Sequence, residues 1–128
     1  NERFLPQVIE GCLLDKKFPT SKGEQLRDFC HVDDITSGIL RTLDINEVNG
    51  EIINLASGEP ISIREIIGLI KKLIGSGRPD FNKIAYRNGE NMTLFADISK
   101  AKKLLGWSPE VGLNEGLERI VNHFRLNK

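Results

Sequence analysis

Residues 50–66 read GEIINLASGEPISIREI, and this stretch decides the class of fold. Residues 51–55 contain two isoleucines and a leucine and predict a buried strand, and the small residues 56–58 predict a tight turn. Ser62 and Glu65 then have the spacing of a capping box, in which a hydroxyl and a carboxylate satisfy two free N–H groups at the start of a helix. A strand followed by a turn and a capped helix is typical of α/β architecture.

Four further segments carry apolar residues at helical spacing. They begin near Phe4, at Asp33-Asp34, at Asp97 and near Asn114. Short strand-like runs lie between them, at 18–20, 26–32, 83–86 and 92–96. The two adjacent aspartates suit a helix N-terminus, where a carboxylate can accept hydrogen bonds from free N–H groups. The interleaved pattern predicts an α/β domain, or an α+β domain if these residues fold alone.

The composition excludes several classes of function. Eighteen Lys and Arg balance eighteen Asp and Glu among the 128 residues, so the chain lacks the positive field expected of a protein that binds nucleic acid or a membrane surface. No apolar run is long enough to span a bilayer, and the first residues do not resemble a secretory signal. Cys12 and Cys30 lack the spacing of a metal or redox pair, so we expect two buried free thiols in a reducing, cytoplasmic compartment.

Two arginines are the best candidates for chemistry, because the sequence contains no glycine-rich nucleotide loop, nucleophile elbow or metal-ligand cluster. Arg27 interrupts a strand-like run, and Arg87 opens an Arg-Asn-Gly-Glu loop. A guanidinium at a strand end can bind a phosphate or a carboxylate through two parallel hydrogen bonds. The alternative for Arg27 is a structural ion pair with Asp28 or Asp33. The alternative for Arg87 is an ion pair with Glu90.

Three stretches occur in a particular order, GEQLRDFCHVDDI at 23–35, the opening stretch at 50–66, and YRNGENMTLFADISKAKKLLGWSPEVGLNEGL at 86–117. Together they closely resemble the carboxyl-terminal half of the extended short-chain dehydrogenases/reductases, the NAD(P)-dependent nucleotide-sugar epimerases, dehydratases and reductases. The opening NERFLPQVI resembles a segment of the same family, so the resemblance covers essentially the whole chain. It implies that residues 1–128 form the nucleotide-sugar-binding lobe, with elements that normally join the Rossmann sheet.

The family's amino-terminal Rossmann domain has no counterpart in this sequence. In the family that domain holds NAD or NADP and carries a catalytic Tyr-x-x-x-Lys pair. The resemblance therefore implies a cofactor in the parent enzyme, no cofactor in this chain, and no turnover by the chain alone. The partners that it implies are a nucleotide-diphosphate sugar, the Rossmann domain and further copies of the chain in a homo-oligomer. Because 51–55 would lack neighbouring strands, we also expect self-association or local disorder around 50–58.

The resemblance also implies four substrate-binding residues. In the family, the arginines that match Arg27 and Arg87 lie on either side of the substrate's pyrophosphate. Glu90 would orient its loop or meet a substrate hydroxyl, and Arg3 would lie near the diphosphate or the sugar. The implied function is the nucleotide-sugar-binding part of an NAD(P)-dependent epimerase, dehydratase or reductase. The alternative is a non-catalytic binding or interaction module derived from the same fold.

Overall fold

A computed structural model describes residues 3–126 of the chain. Within that range the helices are α1 Phe4–Leu13, α2 Val32–Leu43, α3 Ile63–Ile74, α4 Ser99–Leu105 and α5 Leu113–Leu126, with a 3-10 turn at Asn46–Val48. The strands are β1 Lys17–Pro19, β2 Leu26–Asp28, β3 Pro60–Ser62 and β4 Arg78–Asp80. Short strands alternating with helices confirm the predicted α/β class.

The chain divides into two compact units, each with its own core. Of the described residues, the first unit comprises those up to Gln25, those from Ser62 to Met92, and those from Leu117 onwards. The second unit comprises Leu26–Ile61 and Thr93–Gly116.

The first unit is built on α1 and α3. Its buried apolar side chains are Val8, Ile9, Cys12, Ile66, Ile67, Ile70, Leu117 and Val121. The predicted capping box starts α3, since the Ser62 hydroxyl accepts a hydrogen bond from the Glu65 N–H at 3.1 Å and a Glu65 carboxylate oxygen accepts one from the Ser62 N–H at 3.0 Å. β1 pairs in parallel with β4, and Phe18 lies opposite Pro79.

The second unit is built around Trp107, which is 1% exposed. Val48, Ala101 and Leu105 complete the buried cluster. The indole Nε1–H donates to the Asp34 carbonyl at 3.1 Å and to the Ser37 hydroxyl at 2.9 Å. Because the indole N–H is satisfied inside the core, the large ring can be buried there without loss of a hydrogen bond.

The start of α2 confirms that Asp33 and Asp34 lie in the first turn of a helix, but it corrects the expected capping, because neither aspartate is the cap residue. The cap is His31, whose Nδ1 accepts a hydrogen bond from the Asp33 N–H at 3.2 Å. The Asp34 side chain is buried and accepts hydrogen bonds from the backbone N–H groups of Glu110 at 2.9 Å and Val111 at 3.0 Å. The carboxylate therefore joins α2 to a distant loop of its unit.

The strand predictions are partly wrong. Residues 51–55 pair with no strand in the part of the chain that the structure describes, and Ile52 is 85% exposed. The predicted strand 83–86 does not form, since residues 83–84 form a bend and residues 85–86 have no regular structure, and the strand predicted at 26–32 ends at Asp28. A strand requires a neighbour for its hydrogen bonds, and an apolar run does not specify that neighbour.

Two further predictions concern the burial of the cysteines and the presence of membrane-spanning helices. Both cysteines are free, but only Cys12 is fully buried, whereas Cys30 is partly exposed. Among the described helices, none is long and apolar enough to cross a membrane.

Candidate functional site

Arg27 lies in the middle of β2, in the second unit, and its side chain is half-buried. Its Nη1 donates to the Leu26 carbonyl at 2.7 Å. The same carbonyl accepts a hydrogen bond from the Leu94 N–H at 3.1 Å, where Thr93 pairs in parallel with Leu26. One of the five guanidinium N–H donors is thus tied to the arginine's own strand.

Asp28 follows Arg27 and accepts four hydrogen bonds within the second unit. Its Oδ1 accepts from the Ser57 N–H at 2.8 Å and the Ser57 hydroxyl at 2.6 Å. Its Oδ2 accepts from the Gly58 N–H at 2.9 Å and the Ala96 N–H at 3.3 Å. These donors are backbone and hydroxyl groups, so these bonds do not form the Arg27–Asp28 ion pair considered from the sequence. No sequence motif gives Asp28 a role of its own, although an acid inside a predicted strand is a signal for such a contact.

Arg87 opens a tight turn in the first unit. The Glu90 N–H donates to the Arg87 carbonyl at 3.0 Å, and Gly89 has φ +75°. A positive φ at the third position is typical of a type II turn and favours glycine there. Arg87 is exposed and Glu90 half-buried. Among residues 3–126, the Arg87 guanidinium has no hydrogen bond or ion pair, so the alternative ion pair with Glu90 does not form.

Tyr86 fixes the start of the same turn. Its hydroxyl accepts a hydrogen bond from the Glu24 N–H at 3.0 Å and lies 3.4 Å from a Glu24 carboxylate oxygen. This contact joins the turn to the loop before β2, and both belong to the first unit. No local sequence pattern predicts this contact, because the two residues are 62 positions apart.

Arg64 also contacts the loop before β2. Its guanidinium lies 3.8 Å from the centre of the Phe81 ring, a cation–π contact, and its Nε donates to the Lys22 carbonyl at 2.9 Å. Its backbone N–H donates to the Gly23 carbonyl at 2.8 Å. The start of α3 thus fixes the loop through both the backbone and the side chain of Arg64.

Arg3 lies just before α1, is exposed, and makes no side-chain capping hydrogen bond. It belongs to the first unit, as do Arg87 and Glu90, whereas Arg27 belongs to the second. Of the four predicted site residues, the structure therefore joins Arg87 and Glu90 directly, in one turn.

The thiol of Cys30 is not suited to act as a nucleophile. Burial raises its pKa to about 11, with further contributions from the Asp34 and Asp28 carboxylates. A thiol becomes reactive as the thiolate, which this environment disfavours at neutral pH.

We expect Cys30 to react slowly with iodoacetamide at neutral pH, and the reaction rate to rise as the pH approaches about 11. Mass spectrometry of the Cys30 peptide over a pH series measures this rate separately from that of Cys12. The denatured chain is the control, because its thiols should titrate near about 8.5. A folded-state midpoint at that ordinary value would contradict the prediction.

The residues present do not fit a nicotinamide cofactor. In the family that the sequence resembles, a glycine-rich loop binds the dinucleotide and a Tyr-x-x-x-Lys pair acts beside it. The 128 residues contain neither feature. In the part of the chain that the structure describes, no group of three His, Cys, Asp or Glu side chains is placed to hold a metal ion.

Comparison with known proteins gives consistent matches. The family model described as GDP-mannose 4,6 dehydratase matches residues 2–120. The UDP-glucuronate 4-epimerase of Thermodesulfobacterium geofontis is 42% identical over 106 residues, which are 82% of this chain and 32% of that protein. The UDP-glucuronic acid decarboxylase 1 of Xenopus tropicalis is 33% identical, over 95% of this chain and 28% of that protein.

A solved structure is similar to this chain in fold as well as in sequence. The UDP-glucuronic acid 4-epimerase of Bacillus cereus, in complex with UDP-glucuronic acid and NAD, is 34% identical with a TM-score of 0.87, over 99% of this chain and 41% of that one. The chain spans about a third of the length of the curated relatives that it matches. Because the family match covers nearly all of the sequence and these relatives agree with it, the chain belongs to the nucleotide-sugar epimerase and dehydratase family of the extended short-chain dehydrogenases/reductases.

Proposed function

We propose that this chain is the part of a nucleotide-sugar epimerase or decarboxylase that binds the substrate, and that Arg27 and Arg87 are ligands of its diphosphate. The observation that carries the proposal is the Arg87 turn. An exposed guanidinium without a hydrogen bond or ion pair among the described residues stands on a turn fixed by Gly89 and Glu90. Such a group is ready to form charge-assisted, bidentate bonds to a phosphate.

The zero net charge of the chain supports the same assignment. A doubly charged diphosphate must then be met by individually placed cations rather than by a general positive field. Arg27 is such a cation in the second unit, where Leu26 ties its guanidinium to β2. Glu90 would orient the Arg87 turn or accept a substrate hydroxyl, and Arg3 would lie near the diphosphate or the sugar.

We propose a UDP-sugar as the ligand, with UDP-glucuronic acid as the first candidate. Two relatives are named for UDP-glucuronate and differ in the reaction, 4-epimerisation in one and decarboxylation in the other. The Bacillus cereus structure contains UDP-glucuronic acid itself. Relatives that share this lobe but catalyse different reactions would have nucleotide-sugar binding in common. Such a lobe would increase the reaction rate by holding the sugar in a fixed orientation.

The whole enzyme would use NAD bound outside these residues, as the NAD in the Bacillus cereus complex suggests. We propose that the further part of the enzyme packs on the apolar face of α2. That face exposes Val32, Ile39, Leu40 and Leu43. Exposed apolar side chains grouped on one helix are typical of a surface that another element covers.

We expect UDP-glucuronic acid to bind the chain, and Arg27→Ala or Arg87→Ala to weaken the binding by about 10- to 100-fold each, because each removes a charge-assisted hydrogen-bond donor. Isothermal titration calorimetry measures the affinity, with UDP-glucose, GDP-mannose and dTDP-glucose as competing ligands. Lys103→Ala and Lys72→Ala are matched controls, since each removes one exposed positive charge from the unit that carries Arg27 or Arg87 respectively.

Three outcomes would contradict all or part of the proposal. If the lysine controls weaken binding as much as the arginine variants, the attraction is general and not a site. If none of the four sugar nucleotides binds, the alternative of an interaction module derived from this fold is favoured. Stronger binding of GDP-mannose than of the UDP-sugars would retain the diphosphate site and reject the proposed base.

A further inference from the structure

We propose that Asp28 is a positioning residue for Arg27. The proposal rests on the function proposed above only for its affinity measurement. Asp28 does not need to touch a ligand in this role. It acts by fixing the strand that carries Arg27 to both neighbours of that strand.

Asp28 bridges two segments that lie beside β2. β2 pairs with β3 as one neighbour and with Thr93 as the other. The turn at Ser57-Gly58, just before β3, gives three of the four hydrogen bonds that the carboxylate accepts, and Ala96 gives the fourth. A single side chain thus links both neighbours of the strand.

The carboxylate also extends the isolated parallel bridge between Leu26 and Thr93 into a short ladder. The Leu26 carbonyl accepts a hydrogen bond from the Leu94 N–H at 3.1 Å, and two residues further on Asp28 Oδ2 accepts one from the Ala96 N–H at 3.3 Å. A parallel ladder repeats every two residues, so the side chain takes the place of a backbone acceptor at the end of β2. Removing the carboxylate would leave the last rung of this ladder unmade.

The same ladder holds the Arg27 side chain. The Leu26 carbonyl that accepts from Leu94 also accepts from Arg27 Nη1 at 2.7 Å. If the ladder shifts, the carbonyl that anchors the guanidinium shifts with it. A long side chain loses much rotamer freedom when it binds a ligand, and an anchor present beforehand reduces that loss. The geometry therefore links Asp28 to the orientation of Arg27 through Leu26.

Asp34 provides a matched control in the same unit. Its carboxylate also accepts two backbone N–H groups, those of Glu110 and Val111, but neither of these lies in β2 or its neighbours. Asp34→Asn should therefore weaken the fold without changing the ladder at Arg27. Comparison of Asp28→Asn with Asp34→Asn separates positioning from general stability.

The test is an NMR measurement of the Arg27 Nε–Hε signal in the full chain, with affinity for UDP-glucuronic acid as a second readout. In Asp28→Asn we expect the Arg27 signal to shift and its order parameter to fall, because an amide nitrogen replaces one acceptor oxygen. We expect affinity to fall about tenfold, the equivalent of one lost hydrogen bond. In Asp34→Asn we expect a lower melting temperature with an unchanged Arg27 signal and unchanged affinity.

An unchanged Arg27 signal in Asp28→Asn would overturn the proposal and leave Asp28 a purely structural residue. If wild type binds no UDP-sugar while the signal still moves, positioning stands and the proposed function fails. If Asp28→Asn does not fold, Ser57→Ala leaves the carboxylate in place and removes the hydroxyl contact to Asp28 at 2.6 Å, together with the hydroxyl's two contacts to the backbone of Glu59. The Arg27 signal should then move by a smaller amount, and no movement would again overturn the proposal.

Discussion

Replacement of Trp107 by alanine is expected to lower the free energy of unfolding by about 3–5 kcal/mol, the cost of removing a large, fully buried side chain. Trp107 is 1% exposed and packs with Val48, Ala101 and Leu105. Alanine would leave a cavity among these side chains and would also remove the donor to the Asp34 carbonyl. A loss of this size is a large fraction of the stability of a single domain.

Urea unfolding followed by circular dichroism measures this loss, since the variant lacks the sole tryptophan of the sequence. Trp107→Phe is the control, because it keeps most of the apolar volume and loses both indole hydrogen bonds. We expect it to cost about 1–3 kcal/mol, the cost of unsatisfied buried acceptors. If Trp107→Ala costs no more than Trp107→Phe, the packing of the ring is not what stabilises the second unit.

The helices were predictable because their signals are local. The capping box at Ser62 and Glu65 fixes where α3 begins, and Gly75, with φ +86°, fixes where it ends. The apolar residues between them recur at the helical period, so both the limits and the buried face follow from adjacent residues. The Arg87 turn was predictable for the same reason, since its own glycine provides the positive φ that the turn requires.

The strands were less predictable because pairing depends on distant residues. β4 contains Pro79 and few apolar residues, and it forms a strand because β1 lies beside it. The run 51–55 has the composition of a strand but no partner among the described residues. Composition therefore indicates which segments can form strands, and only the neighbouring segment decides which of them do.

The residues of the candidate site also differ in whether the sequence alone predicts them. Arg27 and Arg87 could be selected from the sequence because a guanidinium can bind a phosphate through two hydrogen bonds and because both residues match arginines of the family that the sequence resembles. The groups that hold them could not, since Asp28 accepts from residues 29, 30 and 68 positions away. The hydroxyl of Tyr86 likewise meets Glu24 from 62 positions away. The side chains that orient a site are identified by their contacts in the folded structure, because the surrounding sequence does not predict those contacts.

Gly23→Ala is expected to destabilise the first unit by about 2–5 kcal/mol, the sum of a strained left-handed backbone and an overpacked contact. Gly23 has φ +75°, and a Cβ there would lie 2.9 Å from the backbone nitrogen of Arg64 and 3.1 Å from its Cα. These atoms belong to the first turn of α3, so they cannot move away as a flexible side chain could. The hydrogen bond from the Arg64 N–H to the Gly23 carbonyl, 2.8 Å long, would be displaced as well.

Gly75→Ala is the matched control, because Gly75 also has a positive φ but nothing described lies within 4 Å of the added Cβ. It should cost only the backbone strain, about 1–2 kcal/mol. Urea midpoints of the two variants measure the difference, and equal midpoints would show that the contact with Arg64 carries no cost. Gly23 precedes Glu24, whose N–H is bound by the Tyr86 hydroxyl next to Arg87. Gly23→Ala should therefore also weaken binding of UDP-glucuronic acid in the variant that remains folded, whereas Gly75→Ala should leave it unchanged.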